Sequence, residues 1–202
     1  MTLEFCWDIA SPYTYVAYTQ LPGLVERTGC SIRMLPVLLG GIFKDAGNTM
    51  PGAVPAKAAY MTKDLGRLRD HFGIPLKLPV AELPFPIRSV LPMRVAVVAE
   101  TQGKSAAFTD MLMKTYWADG EDVSQPAILQ KVAQAAHLSE DALAQAETTE
   151  VKDTLRTHTR NAVERGAFGV PTFFVGGEMF FGGDRMPFVE RALSGATDGR
   201  TS

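Results

Sequence analysis

What most limits the fold of this chain is where its strand-forming runs lie: two at the beginning, two near the end, with more than a hundred residues of helical pattern between. Residues 3 to 8 carry Leu3, Phe5 and Trp7 alternating with an equally apolar Cys6, the composition of a strand covered on both faces. Ser11 then offers an N-cap and Pro12 a first helical position, and Tyr13, Ala17, Leu21, Leu24 and Val25 recur at helical spacing, which predicts a helix to about Thr28. Gly29 and Cys30 interrupt it, and Ile32 to Val37 reads as a second strand closed by Pro36. A strand, a helix and a strand this close together imply a right-handed crossover and parallel pairing. Far downstream, Val170 to Val175, Gly176-Gly177 and Glu178 to Phe181 form the pattern of a hairpin, and Asp184 opens a last helix. A lone hairpin is marginal in water, so these strands are expected to join the first two in one sheet.

The middle of the chain has a different periodicity. Ala58, Met61, Leu65, Leu68 and Phe72 make one apolar stripe, and further stripes run over Val90 to Glu100, Phe108 to Thr115, Ile128 to Ala133 and Val151 to Ala162. A proline-rich loop, Pro79 to Pro86, and an acidic turn, Ala118 to Asp122, punctuate them. The expected organisation is an α/β unit made of residues 1–40 and 168–202, interrupted by an all-helical insertion over 41–167. With 46% apolar residues in 202 the chain can bury a sizeable core, so a disordered tail is excluded. A formal net charge of −2 supplies no field to gather nucleic acid or acidic lipid. No apolar run approaches the roughly 18 residues of a membrane span, and Met1 to Phe5 lacks a basic start, so the expected setting is the cytoplasm, with no membrane partner.

Cys6 and Cys30 stand far apart in apolar surroundings, with no Cys-x-x-Cys pair and no ligand-spaced histidine, so no metal is expected; they read as two buried thiols or a disulfide pair. His71, His137 and His158 each fall on a helical stretch without a nucleophile neighbour and read as structural. Ser11 taken alone is an N-cap, and Asp184 another. Pro171 ahead of its strand is a candidate cis proline, since only X-Pro bonds tolerate that isomer readily.

The order of these elements is that of a thioredoxin-like fold of the DsbA type, βαβ at the start and ββα at the close around a helical insertion. Where that superfamily carries Cys-Pro-x-Cys, this chain reads Ser11-Pro12-Tyr13-Thr14, so its disulfide chemistry is excluded. The larger set, Asp8-x-x-Ser11-Pro12-Tyr13-x-Tyr15, Pro36 to Gly41, Phe43 to Asn48, Pro55-Ala56-Lys57-x-x-Tyr60, Phe168 to Val175 and Phe180-Phe181-Gly182-x-Asp184-Arg185, resembles the 2-hydroxychromene-2-carboxylate isomerases and their kappa-class glutathione transferase relatives over nearly the whole chain.

The resemblance implies glutathione as cofactor, its backbone along Val170 and Pro171, its sulfur at Ser11 and its γ-glutamyl end near Asp184 and Arg185. It implies a small aromatic keto acid as substrate, held by Lys44, Asn48, Phe85 and Arg88, with Ser11 the catalytic residue and Lys44 steadying an enolate oxygen. Lys57 and Tyr60 are weaker candidates. Arg88 stands where many relatives have asparagine, a departure that bears on the substrate. A glutathione-dependent cis-trans isomerase is the implied activity, a kappa-like conjugating transferase the alternative, and a homodimer the implied assembly. A cysteine-free peptide-binding module is a third reading, since an extended ligand could hydrogen-bond along Val170.

Overall fold

The computed structural model describes residues 1–78, 83 and 85–195. Four strands form one sheet in the order β2-β1-β3-β4. Strand β1 (Thr2–Trp7) pairs parallel with β2 (Ser31–Pro36) and antiparallel with β3 (Thr172–Val175), which continues through a tight turn into β4 (Glu178–Phe181). The hairpin therefore docks on the central strand, as its isolation in the sequence requires.

Alternation along β1 divides the core in two. Leu3, Phe5 and Trp7 point with Phe173 and Val175 into the larger apolar cluster, and Phe5 and Phe173 meet at a ring separation of 5.3 Å. Cys6, Leu35 and Phe174 occupy the opposite face. That face also needs cover, and it receives Ile42 from α3 (Leu39–Asp45) and Ala162 from α9 (Thr149–Glu164). The segment drawn from sequence as an insertion over 41–167 thus contributes a helix at each end to the sheet's own packing. Both cysteines are buried and free, so the disulfide alternative falls away.

The first helix is not continuous to Thr28. It divides into α1 (Pro12–Tyr18) and α2 (Leu21–Thr28), with Pro22 in the first turn of the second. An uninterrupted helix would drive the Pro22 ring into the Tyr18 carbonyl and leave that carbonyl without an N–H, so the chain restarts at Leu21. Helix α4 (Pro55–Phe72) follows, then α5 (Val90–Thr101), α6 (Ser105–Met113), α7 (Pro126–Ala135) and α8 (Ala142–Gln145), with α10 (Met186–Leu193) closing the chain. His137 lies outside the helical stretch expected for it: past the end of α7 it adopts φ 59°, while the Leu138 N–H returns to the Ala133 carbonyl. No described helix is long and apolar enough to cross a membrane.

One hydrogen bond ties the helical layer to the end of the central strand. Trp117, in a π-helical turn after α6, donates its indole N–H to the Ile9 carbonyl at 3.1 Å, in the loop between β1 and α1. The apolar stripe of α4 behaves differently from a core stripe. Only Leu65 is fully covered, while Met61, Leu68 and Phe72 line a cavity. Of the proline-rich loop, residues 79–82 and 84 lie outside the described residues.

Candidate active site

Antiparallel pairing of Cys6 with Thr172 places the residues that follow β1 beside those that precede β3. Ser11 and Val170, 159 positions apart, are brought together in this way. The Ser11 hydroxyl accepts the Thr14 N–H at 3.2 Å, as an N-cap does, and donates to the Val170 carbonyl at 3.3 Å. The Val170-Pro171 bond is cis, and the Pro171 carbonyl accepts the Gly182 N–H at 2.9 Å. Ser11 is only 5% exposed, yet it borders a cavity of about 1810 Å³. Small-molecule pockets commonly measure ~300–1,000 Å³, so this one has space for two ligands side by side.

Ser11, Val170, Pro171, Asp184, Asn48, Phe85 and Arg88 all line the cavity, and two residues expected in it lie outside the lining. Lys44 is exposed at the C-terminal end of α3. Its neighbour Phe43 lines the cavity, but Lys44, the next residue round the same helix, lies outside that lining. Arg185 also lies outside the lining; its guanidinium pairs with Asp184 at 3.4 Å and stands 6.0 Å from the Phe188 ring centre. Asp184 itself does not open a helix. It sits inside a 3-10 turn, Gly183–Arg185, because Pro187 in the first turn of α10 sets the helix start after it. Gly182 precedes this turn with φ +95°, and a Cβ there would lie 2.7 Å from an Asp184 carboxylate oxygen, so only glycine fits. Asn48 holds the Phe168 carbonyl through its Nδ2 at 2.9 Å, tying the cavity mouth to the segment before Val170.

Several polar groups of the wall escaped the sequence reading as site residues. The Asp64 carboxylate accepts the Tyr13 hydroxyl at 3.0 Å and the Tyr60 hydroxyl at 3.3 Å, and burial together with that carboxylate raises the Tyr13 phenol well above its usual range. Arg94 reaches the wall from α5 but is paired with Glu147 at 2.9 Å. Arg88, by contrast, makes no ion pair with any described residue. Asp8 is wholly buried at the cavity floor, and loss of hydration pushes its carboxyl above the ordinary carboxylate value despite three hydrogen bonds that favour the charge. The signal for Asp8 was present in the sequence as an acid directly after the apolar run Phe5-Cys6-Trp7. Asp64 and Arg94 gave none, since each fits the solvent side of an amphipathic helix. Among the described residues no three His, Cys, Asp or Glu side chains gather as a metal site needs.

A family model described as a DSBA-like thioredoxin domain matches residues 2–194. Glutathione S-transferase kappa 1 of Homo sapiens is 31% identical to this chain, over 95% of it and 90% of its own length. The 2-hydroxychromene-2-carboxylate isomerase of Sphingobium xenophagum is 30% identical over 95% of this chain and 97% of the isomerase. A solved structure of selenomethionine 2-hydroxychromene-2-carboxylate isomerase superposes with a TM-score of 0.86 at 25% identity, covering 97% of this chain and 96% of the other. Matches of this length leave no element of the sheet or of the helical layer unaccounted for, and the chain belongs to the DSBA-like thioredoxin family, alongside the 2-hydroxychromene-2-carboxylate isomerases and the kappa-class glutathione transferases.

Proposed function

We propose that this protein is a glutathione-dependent isomerase that interconverts 2-hydroxychromene-2-carboxylate and trans-o-hydroxybenzylidenepyruvate, or a related aromatic 2-oxo acid pair. The observation that carries the reading is the Ser11 hydroxyl, aimed at the Val170 carbonyl on the edge of a cavity large enough for two molecules. The groups present suit the tripeptide. The Val170 N–H makes no hydrogen bond to a described residue and is free for an extended backbone, and the Asp184 carboxylate, mostly exposed, can meet an ammonium. When bound, glutathione supplies a thiolate whose reversible addition makes a conjugated carbon–carbon double bond briefly single, so that it can rotate.

The residues of the chain do the rest. Ser11 holds the sulfur and can turn its O–H from Val170 toward negative charge there. Helix α1 is only seven residues long, so this local donor matters more than any long-range helix field. Arg88 is the free cation of the described wall and is suited to the carboxylate of the acid, a role in which it replaces Lys44. Phe85 and the α4 stripe offer apolar surface to the ring.

The test follows the ultraviolet spectrum of 2-hydroxychromene-2-carboxylate with and without glutathione, for wild type and Ser11→Ala. Turnover that needs the thiol and collapses in the variant is the expected result; a rate indifferent to both would sink the reading. The 31% identity to kappa-class transferase supports a second reading, conjugation to an electrophile. Stoichiometric consumption of glutathione during turnover decides for it and against isomerisation.

A further inference from the structure

Asp8 is fully buried, and its carboxylate receives hydrogen bonds from three separate parts of the cavity wall. Oδ1 accepts the Ala10 N–H at 2.9 Å, in the loop that leads into Ser11. Oδ2 accepts the Leu39 N–H at 2.8 Å, the first residue of α3, and the Ser89 hydroxyl at 3.1 Å, between Arg88 and α5. No described cation pairs with it. Burying a carboxylate without a counter-ion is costly, and a chain that needed only packing here would be better served by an apolar residue.

We propose that Asp8 is a positioning residue for both halves of the site, one carboxylate that sets the Ser11 turn and the Arg88 segment in a fixed relation to each other. The proposal rests on the two-ligand reading above and extends it to a residue that touches neither ligand. Its chemistry is specific. The two backbone N–H groups approach different oxygens, so both oxygens must accept. An asparagine of the same shape has one acceptor, and whichever way its amide is turned, either Ala10 or Leu39 faces an NH₂ group. The Ser89 arm is separable from the other two: removing the hydroxyl frees the Arg88 segment and leaves the backbone bonds from Ala10 and Leu39 in place.

That separation gives a readout that loss of general stability would not produce. Glutathione affinity is measured by calorimetry and KM by turnover of trans-o-hydroxybenzylidenepyruvate, for wild type, Ser89→Ala, Ser89→Thr and Asp8→Asn. Ser89→Ala should raise KM for the acid roughly fivefold, the worth of one buried hydrogen bond, with glutathione affinity unchanged, and Ser89→Thr should restore it. Asp8→Asn should weaken both ligands. Equal shifts of both ligands in Ser89→Ala, no shift of either, or failure of threonine to restore KM overturns the proposal.

Should wild type bind no glutathione, the functional reading falls, and amide exchange decides on Asp8 separately. Protection of Ala10 and Leu39 that drops at least tenfold at one of them in Asp8→Asn, at unchanged protection of β1, upholds the positioning role. Unchanged protection at both removes it.

Discussion

Replacing Ser11 by alanine tests the chemistry and the architecture at once, and the two effects can be calculated apart. The hydroxyl caps α1 by accepting the Thr14 N–H, and its loss should cost about 1 kcal/mol of stability. In a chain of this size that lowers Tm by roughly 2–4 °C, so the variant should remain folded at 25 °C. The effect on a bound thiol is larger in kinetic terms. In the unliganded protein the single O–H proton is directed at the Val170 carbonyl at 3.3 Å, longer than a good O–H···O bond. Turning it to a thiolate exchanges a weak neutral hydrogen bond for a charge-assisted one worth ~1.5–3 kcal/mol. At 1.36 kcal/mol per unit, the hydroxyl should lower the thiol by about one to two pKa units from its reference near 8.5. The assay is the ultraviolet thiolate absorbance of glutathione titrated with pH under excess protein. Wild type should show the lowered value and Ser11→Ala should lose about one to two units of it, with a parallel ~8–25-fold fall in thiolate fraction, and so in rate, at pH 7. Identical thiol titrations in the two proteins would refute the reasoning even if the variant were less active.

Arg88→Gln should raise KM for the aromatic acid roughly tenfold while calorimetry shows unchanged glutathione affinity, because the side chain makes no ion pair with a described residue. His158 stands 3.8 Å from Glu100, yet burial outweighs that carboxylate and holds the imidazole below its ordinary 6.5. The unfolded chain therefore binds a proton that the folded one resists, so this contribution is present above pH 6.5 and is lost as the pH falls through the folded value. Urea midpoints measured between pH 7.5 and 5 should slope in wild type and flatten in His158→Gln; equal slopes would rule this out. Phe173→Ala, which empties the centre of the larger core, should cost about 3–5 kcal/mol by the same denaturation measurement.

How far the sequence disclosed this molecule depended on the range of the signals. The four strands were legible because period-two alternation and punctuating glycines act locally, and the docking of the hairpin followed from the instability of a hairpin alone. The split at Pro22 was also local and stands in the sequence, but a continued apolar period concealed it. Strand pairing brings Ser11 and Val170 to the cavity, while Asn48 and Arg88 reach it from the segments after α3 and before α5. Lys44 does not, since α3 leaves it exposed one position after the lining residue Phe43. Asp64 and Arg94 were invisible for the opposite reason: a charged residue on the polar side of a helix reads as solvated until the fold shows that the side in question borders a cavity.

The central position of β1 has a consequence for how the protein is made. Cys6 leaves the ribosome long before its antiparallel partner Thr172 has been made. At ~5–20 residues per second, the growing chain carries one unsealed edge of its central strand for on the order of 10 to 30 seconds. During that interval β2 alone can protect it, and a nascent chain stalled before residue 172 would expose a ready template for pairing with its neighbours. Slow, non-local closure of this kind makes yield sensitive to synthesis temperature and to chaperone supply, even where the finished protein is stable.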